Sequence, residues 1–494
     1  MNIGKKLLIK LDSTQRDKII RWFGSQRYIY NQKVKQDREL LLHDKNHKIN
    51  QQYSQFKTDD NLWLNNVPSE VLRNGSYKYF QSYQRCFNGL AKKPNFQSKF
   101  RKSAVMLTNE LFKFNVENNL IIGKESTKDK KSDKYIGLIQ LPEKTRLLIA
   151  ELKTLNTLPN IISISLKANK FYLSFSYEDS SIIQSDKELL DYIKQHSVEE
   201  LKDITIGIDR GISINLAMSN GVDLKYTETI KHNLIAINKD IAKLQRKAAR
   251  QVKYSQNYNK TKIKIQTKHF KKACIKNNFN HHASKSIVNG GQIIEENNTI
   301  KYLYNLLTNE NVNNNSVTNK KPKLLVFEKL QLKNMTKSAK GTIEKPGKNV
   351  KQKAGLNRSL LNVNLGQIKT YVTYKGRKQG VLTVEVKPQY SSQECHKCGF
   401  THKENRVSQT IFSCLSCGLK CNADYNASMV IKHRGINLVL SPDFLIKEKK
   451  KISFRKKKKL LPKVANENSN LTNKINLGNE DSKKSCGVVV RQIS

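Results

Sequence analysis

Hydrophobic positions change their period along the chain, and each change marks a structural unit. Residues 3–11 read as a short strand, after which Asp12-Ser13-Thr14 supplies an N-cap. Ile19, Ile20, Trp22, Phe23, Tyr28 and Ile29 then recur near helical spacing. The helical pattern resumes at Leu62-Trp63-Leu64, restarts at Pro68-Ser69 and runs to about Asn88, which predicts a helical lobe. From Val105 to about Glu178 the alternation becomes twofold: Phe112, Phe114 and Val116, then Ile121-Ile122-Gly123, then Ile162, Ile164 and Leu166, then Phe171 to Phe175. These strands predict a small β-barrel-like domain with a charged loop at 124–134, followed by a polar, partly helical linker at 180–203.

Past the linker, Ile204, Ile206 and Ile208 alternate with Thr205, Gly207 and Asp209. One strand face is aliphatic, and the other carries two small residues and a carboxylate. Asn220-Gly221 is a hairpin signal before a strand at Val222 to Tyr226. Ile237, Ile241 and Leu244 mark the apolar stripe of a basic helical hairpin over 231–290. The Asn-rich 308–320 reads as loop, and Leu324-Leu325-Val326-Phe327-Glu328 as a buried central strand ending in a second acid. Gly341 to Gly355 reads as a lysine-rich loop, Leu360 to Gly380 as helix, Val381 to Val386 as strand and Ala423 to His433 as helix. Residues 441–494 are polar and basic, the composition of a disordered tail.

Charge changes the picture next. The 494 residues hold 90 Lys and Arg against 41 Asp and Glu, a net +49 that is self-repulsive unless a polyanion neutralises it. Nucleic acid is the leading partner. A charge-solubilised surface is the bland alternative, and the aromatics interleaved with the lysines favour binding, as in Lys92-Lys93-Pro94-Asn95-Phe96 with Lys99. No apolar run approaches the roughly 18 residues that span a membrane, and the start is too polar for a signal peptide, so a cytoplasmic protein is expected.

Five of the eight cysteines fall between Cys395 and Cys421. Cys395-x2-Cys398 and Cys414-x2-Cys417 have the spacing of two knuckles around one tetrahedral zinc, and Gly399 and Gly418 let the backbone turn beneath it. Four thiolates leave no open position, so this ion is expected to be structural. The catalytic candidates are Asp209, Glu328 and Asp424, oxygen ligands suited to two Mg2+ or Mn2+ ions. With 41 acids in the chain, local pattern alone leaves that choice open.

Three stretches carry a family resemblance: Gly207-Ile208-Asp209-Arg210-Gly211-Ile212, Val326-Phe327-Glu328-Lys329-Leu330 with Lys333-Asn334-Met335, and Ala423-Asp424-Tyr425-Asn426-Ala427. With Ser391-Ser392-Gln393-Glu394-Cys395 they resemble the split RuvC-like site of the TnpB (OrfB) family of insertion-sequence proteins, compact relatives of type V CRISPR nucleases. Gly24, Arg27, Tyr30 and Asn31 are similar to that family's helix-turn-helix segment, and Pro94 to Lys99 to its Pro-x-Phe-Lys-Ser-Lys element, with Gln97 in place of Lys. The resemblance implies an α/β protein: an RNase H-like (RuvC) core with an inserted zinc ribbon, a helical recognition lobe and a β-barrel-like wedge domain. It sets boundaries at 1–100 (strand and recognition lobe), 101–200 (wedge and linker), 201–390 (nuclease core), 391–422 (ribbon), 423–440 (last core helix) and 441–494 (tail). It also implies partners, namely target DNA and a guide RNA from the transposon end, and nucleic-acid contacts by Arg27, Tyr30, Asn31, Lys92, Lys93, Lys99, Lys333 and Asn334. A transposase acting directly on transposon DNA and a non-catalytic regulator of transposition are the alternatives.

Overall fold

The computed structural model describes residues 2–44, 47–98, 103–124, 133–178, 185–290, 304–308 (backbone), 321–342, 344–363 and 365–442. All but the first residue of the Asn-rich 308–320, most of the charged loop 124–134, Lys99 and nearly all of the 441–494 tail lie outside the described residues.

The first half opens with β1 (Asn2–Ile9), α1 (Ser13–His43) and α2 (Ser69–Phe87). Asp12 caps α1 reciprocally: its carboxylate accepts from the Gln15 N–H at 2.8 Å, and Gln15 Oε1 accepts from the Asp12 N–H at 3.3 Å. There follow β2 (Ser103–Thr108), β3 (Phe112–Phe114), β4 (Leu120–Ile122), β5 (Gly137–Ile139), α3 (Glu143–Thr154), β6 (Ile161–Lys167) and β7 (Lys170–Glu178). Among the described residues they form two antiparallel sheets, β1-β7-β6-β2 and β3-β4-β5, with no pairing that closes a barrel. The N-terminal strand belongs with this sheet, since β1 pairs along its length with β7. Ile19, Trp22 and Val71 of the helices share one core with Val105, Leu107, Ile164 and Leu173 of the strands, so lobe and sheet bury a common surface. Among the described residues the expected helix-turn-helix is not formed. α1 runs unbroken for 31 residues, and Asp44 to Pro68 separate it from α2, far more than the 3–4-residue turn of that motif.

The second half comprises α4 (Asp186–Ile193), α5 (Val198–Ile204), β8 (Thr205–Asp209), β9 (Leu216–Met218), β10 (Val222–Tyr226), α6 (Glu228–Ala249), α7 (Gln256–Val288), β11 (Tyr304–Thr308), β12 (Leu324–Glu328), α8 (Leu332–Met335), α9 (Val350–Val363), α10 (Leu365–Lys378), β13 (Leu382–Val386), β14 (Ile411–Ser413), β15 (Lys420–Asn422) and α11 (Ala423–Leu440). Six strands make one mixed sheet in the order β11-β10-β9-β8-β12-β13. The β8 to β11 steps are antiparallel, and β8, β12 and β13 run parallel. Each face is covered: Ile206, Ile208, Leu325 and Phe327 pack against α7 and α10, and Leu324, Val326 and Val384 against α11. The chain is thus a mixed α/β protein. Two elements differ from expectation. Helix α9 begins ten residues before Leu360, because Leu360 and Val363 bury a stripe against Leu330, Leu332 and Met335. Of the 180–203 linker, residues 185–203 are described and are packed rather than free, since Leu189, Leu190, Ile193 and Leu201 are core residues of the second sheet.

Candidate functional site

Strand alternation places Thr205, Gly207 and Asp209 of β8, and Leu324, Val326 and Glu328 of β12, on the face that α11 covers. The parallel register aligns Ile208 with Phe327, so Asp209 and Glu328 end adjacent strands side by side. Helix α11 lies very close to this face. A Cβ on Gly207 would fall 2.1 Å from the Ser428 carbonyl oxygen, and one on Gly435 would fall 2.2 Å from a Val326 methyl. Glycine is therefore required at both positions for the helix to rest on the sheet. The Asn422 side chain caps α11, accepting from the Asp424 and Tyr425 N–H groups at 2.9 and 3.1 Å, and this fixes Asp424 in the first turn.

The structure thus brings Asp209, Glu328 and Asp424 together from positions 119 and 96 residues apart. Their mutual influence is electrostatic. Burial pushes Asp209 up to about 7, and the charges of Glu328 and Asp424 add to that. Burial likewise raises Glu328 and Asp424. Compensation comes from three side chains that local pattern did not single out. Ser391 donates to Glu328 Oε1 at 2.6 Å, and Arg406 stands 3.7 Å from Asp424 Oδ1. Buried Arg210 donates to the backbone carbonyls of Glu328 and Leu365 and lies over the Phe327 ring, tying the ends of β8 and β12 to the start of α10. A fourth acid, Asp223 on β10, is also buried and pushed up to about 7, by burial first and by Asp424 second. The available signal for it was a lone carboxylate between Val222 and Leu224, just after the Asn220-Gly221 turn.

Beside this centre, the thiols of Cys395, Cys398, Cys414 and Cys417 lie within 4.8 Å of one another, with Sγ···Sγ distances of 3.7 Å (Cys395 to Cys417) and 3.5 Å (Cys398 to Cys414). The two knuckles repeat one geometry. Gly399 and Gly418 sit at φ +76° and +70° and donate to the carbonyls of Cys395 and Cys414. The set can hold one tetrahedral ion. It is strapped to α11 by Asn426, which accepts from the His396 N–H at 3.1 Å and donates to the Glu394 carbonyl at 2.7 Å, and by the Arg434–Glu394 ion pair.

The nucleic-acid candidates fare differently from one another. Lys92, Lys93, Lys333 and Asn334 are exposed, and Arg27 is half-buried. Tyr30 is only 5% exposed and packs edge-on against Tyr79, so its ring is core rather than contact surface. Asn31 exchanges two hydrogen bonds with the Gln97 backbone, at 2.8 and 3.0 Å, which pins the Pro94–Gln97 segment to α1. A cleft of about 570 Å3 between the β6–β7 turn and α7 adds a surface that pattern did not suggest: Lys167, Asn169, His269 and Phe270 line it, and Lys167 lies over the Phe270 ring. Among the described residues no helix is long and apolar enough to cross a membrane.

Comparison with known proteins adds four findings. Residues 366–431, which include the thiolate cluster and Asp424, match the family described as "Cas12f1-like, TNB domain". Over 441 residues the chain is 25% identical to an Escherichia coli (strain K12) protein named "Putative RNA-guided DNA endonuclease InsQ", covering 87% of this chain and 91% of that one. It is 35% identical over 85 residues, 17% of this chain and 20% of the other, to the CRISPR-associated endodeoxyribonuclease Cas12f1 of Sulfoacidibacillus thermotolerans. Among solved structures, a Cas12f1 complex with guide RNA and target DNA aligns over 85% of this chain and 82% of that one, with 13% identity and a TM-score of 0.46. The resemblance to TnpB-like proteins and compact type V nucleases carried by the sequence is borne out by the full-length relative and the matched domain.

Proposed function

We propose that the chain is an RNA-guided DNA endonuclease of a transposon, cutting by phosphodiester hydrolysis at a RuvC-like centre of Asp209, Glu328 and Asp424. The convergence of these three carboxylates, buried Glu328 and half-buried Asp209 and Asp424, with the charges of Glu328 and Asp424 raising Asp209, is the observation that carries the proposal. Such a cluster stays ionised at neutral pH only when cations offset it, and an all-oxygen donor set suits Mg2+ or Mn2+. Held by Asp209, Glu328 and Asp424, such ions would supply water activation and stabilisation of the leaving oxygen. The protein's own part is positional: the strand ends fix Asp209 and Glu328, Ser391 orients Glu328, and the capped first turn of α11 holds Asp424 opposite them. The mixed sheet order, an antiparallel run followed by two parallel strands, supports the RNase H-like assignment of this half.

The thiolate cluster fits a structural zinc. Its Sγ···Sγ distances are near the edge of about 3.8 Å that a tetrahedron with 2.3 Å Zn–S bonds requires. Guide RNA and target DNA as partners are supported by the charge of +49 and by the name of the full-length relative. A heteroduplex is held through its backbone, which asks for a broadly basic surface rather than base-specific side chains.

The test is to purify the protein from cells carrying its native flanking DNA, sequence the co-purifying RNA, and measure metal-dependent DNA cleavage by the wild type and by Asp209→Ala. A discrete bound RNA and cleavage lost in the variant are expected. Cleavage without bound RNA would favour the direct-transposase alternative, and unchanged cleavage by Asp209→Ala would overturn the site.

A further inference from the structure

Asp223 lies outside the three acids proposed above. It is 5% exposed, and among the described residues it accepts no hydrogen bond and forms no ion pair. The strand register fixes its direction. Asp209 pairs with Ala217 across β8–β9, and Ala217 pairs with Asp223 across β9–β10. Residues directly opposite in adjacent strands share a face, so the three form one row on the side covered by α11. Val222 and Leu224 point the other way, into the core beneath α6 and α7. Two strand spacings put the Asp209 and Asp223 Cα atoms about 10 Å apart. The position between them is an alanine, whose methyl group leaves the row open, and Asp424 faces Asp223 from the first turn of α11.

A carboxylate buried without a donor is costly, and an apolar residue in that strand position would pack at no such cost. The charge of Lys225, two residues along the same strand, offsets part of this cost, and a cation shared with Asp424 would offset the rest. We propose that Asp223 is a fourth carboxylate of the acidic centre, contacting from the β10 side the divalent ion next to Asp424, directly or through one of its waters. The inference rests on the proposal that Asp209, Glu328 and Asp424 hold divalent ions. Mg2+ keeps several water ligands when bound by protein, so an acid one shell out still adds to affinity.

The experiment is a Mg2+ titration of thermal melting on the full chain, repeated with Mn2+ followed by electron paramagnetic resonance, for the wild type, Asp223→Asn and Asp223→Ala. Asp223→Asn keeps the shape and removes the charge. Its Mg2+ and Mn2+ midpoints should rise about tenfold, while its metal-free melting temperature stays equal to or above that of the wild type, because a like charge has been removed from beside Asp424. Asp223→Ala should shift the midpoints in the same direction. A lower metal-free melting temperature with unshifted midpoints would make Asp223 a structural residue and overturn the inference alone. A wild type whose melting and resonance signals ignore both ions would overturn the inference together with the proposed centre.

Discussion

The thiolate cluster and the acidic centre are neighbours in the chain, with Cys417 and Asp424 only seven positions apart, yet they are assembled in opposite ways. The cluster is local: two knuckles fifteen residues apart fold each pair of thiols around one point with the same glycine-assisted turn. The centre is global, since Asp209, Glu328 and Asp424 meet only after a six-stranded sheet has formed and a helix has settled on it. The cluster offers four soft ligands that would close an ion off, whereas the centre offers hard oxygens at the open ends of strands. A site that only stabilises can be self-contained. A site proposed to admit a phosphodiester has to be built at an edge where elements converge.

Four kinds of perturbation bear on this contrast. Asp209→Ala, Glu328→Ala and Asp424→Ala should each lower metal-dependent DNA cleavage by roughly a thousandfold or more, as expected for losing several kcal/mol of metal-assisted stabilisation. Gel-shift binding of nucleic acid should be nearly unchanged. Cys395→Ser should abolish zinc retention, read as metal content by mass spectrometry, and remove on the order of 10 kcal/mol of local folding free energy. Cleavage should fall with it, because the strap through Asn426 and Glu394 to α11 is lost. If Cys395→Ser kept full cleavage, the two sites would be independent and the contrast would lose its structural link.

Gly207→Ala comes next. Its new methyl meets the Ser428 carbonyl at 2.1 Å, so α11 must lift from β8, at a cost of about 1–3 kcal/mol in chemical denaturation and a larger proportional loss of cleavage. The smallest effect is on pH dependence. Asp209 is pushed up to about 7 in the folded, metal-free chain against an ordinary value of 3.8. The folded state therefore keeps a proton that the unfolded chain has lost between about pH 4 and 7, and metal-free stability falls as pH rises through that window. The melting temperature of Asp209→Asn should overtake that of the wild type across the same window, by roughly 5 °C or less, and Mg2+ should shrink the gap.

The same contrast explains what could be read from the sequence. The four cysteines were legible because their spacing is their geometry. Asp209 and Glu328 were visible as acids ending apolar strands, but choosing them among 41 acids required the family resemblance. Asp223 and Arg406 were not found, because each reaches the centre through pairing or loop placement that no local pattern encodes. The joining of β1 to β7, with Ile9 and its partner Phe171 lying 162 positions apart, is hidden for the same reason. Helix α9 was obscured by Gly355, where a side chain would meet nothing and a glycine is tolerated without a packing reason. Tyr30 illustrates the opposite error: a residue placed by motif at a contact surface is held in the core by Tyr79.

The contact of α11 with the sheet through Gly207 and Gly435 has a consequence for how such a protein can diverge. The gap between Asp424 and the strand ends is set by the helix resting almost directly on backbone, with few side-chain layers to act as shims. Apolar residues elsewhere in both cores can be exchanged and repacked without altering that gap. Mutational drift is therefore tolerated over most of the interior and arrested at two positions that carry no side chain at all.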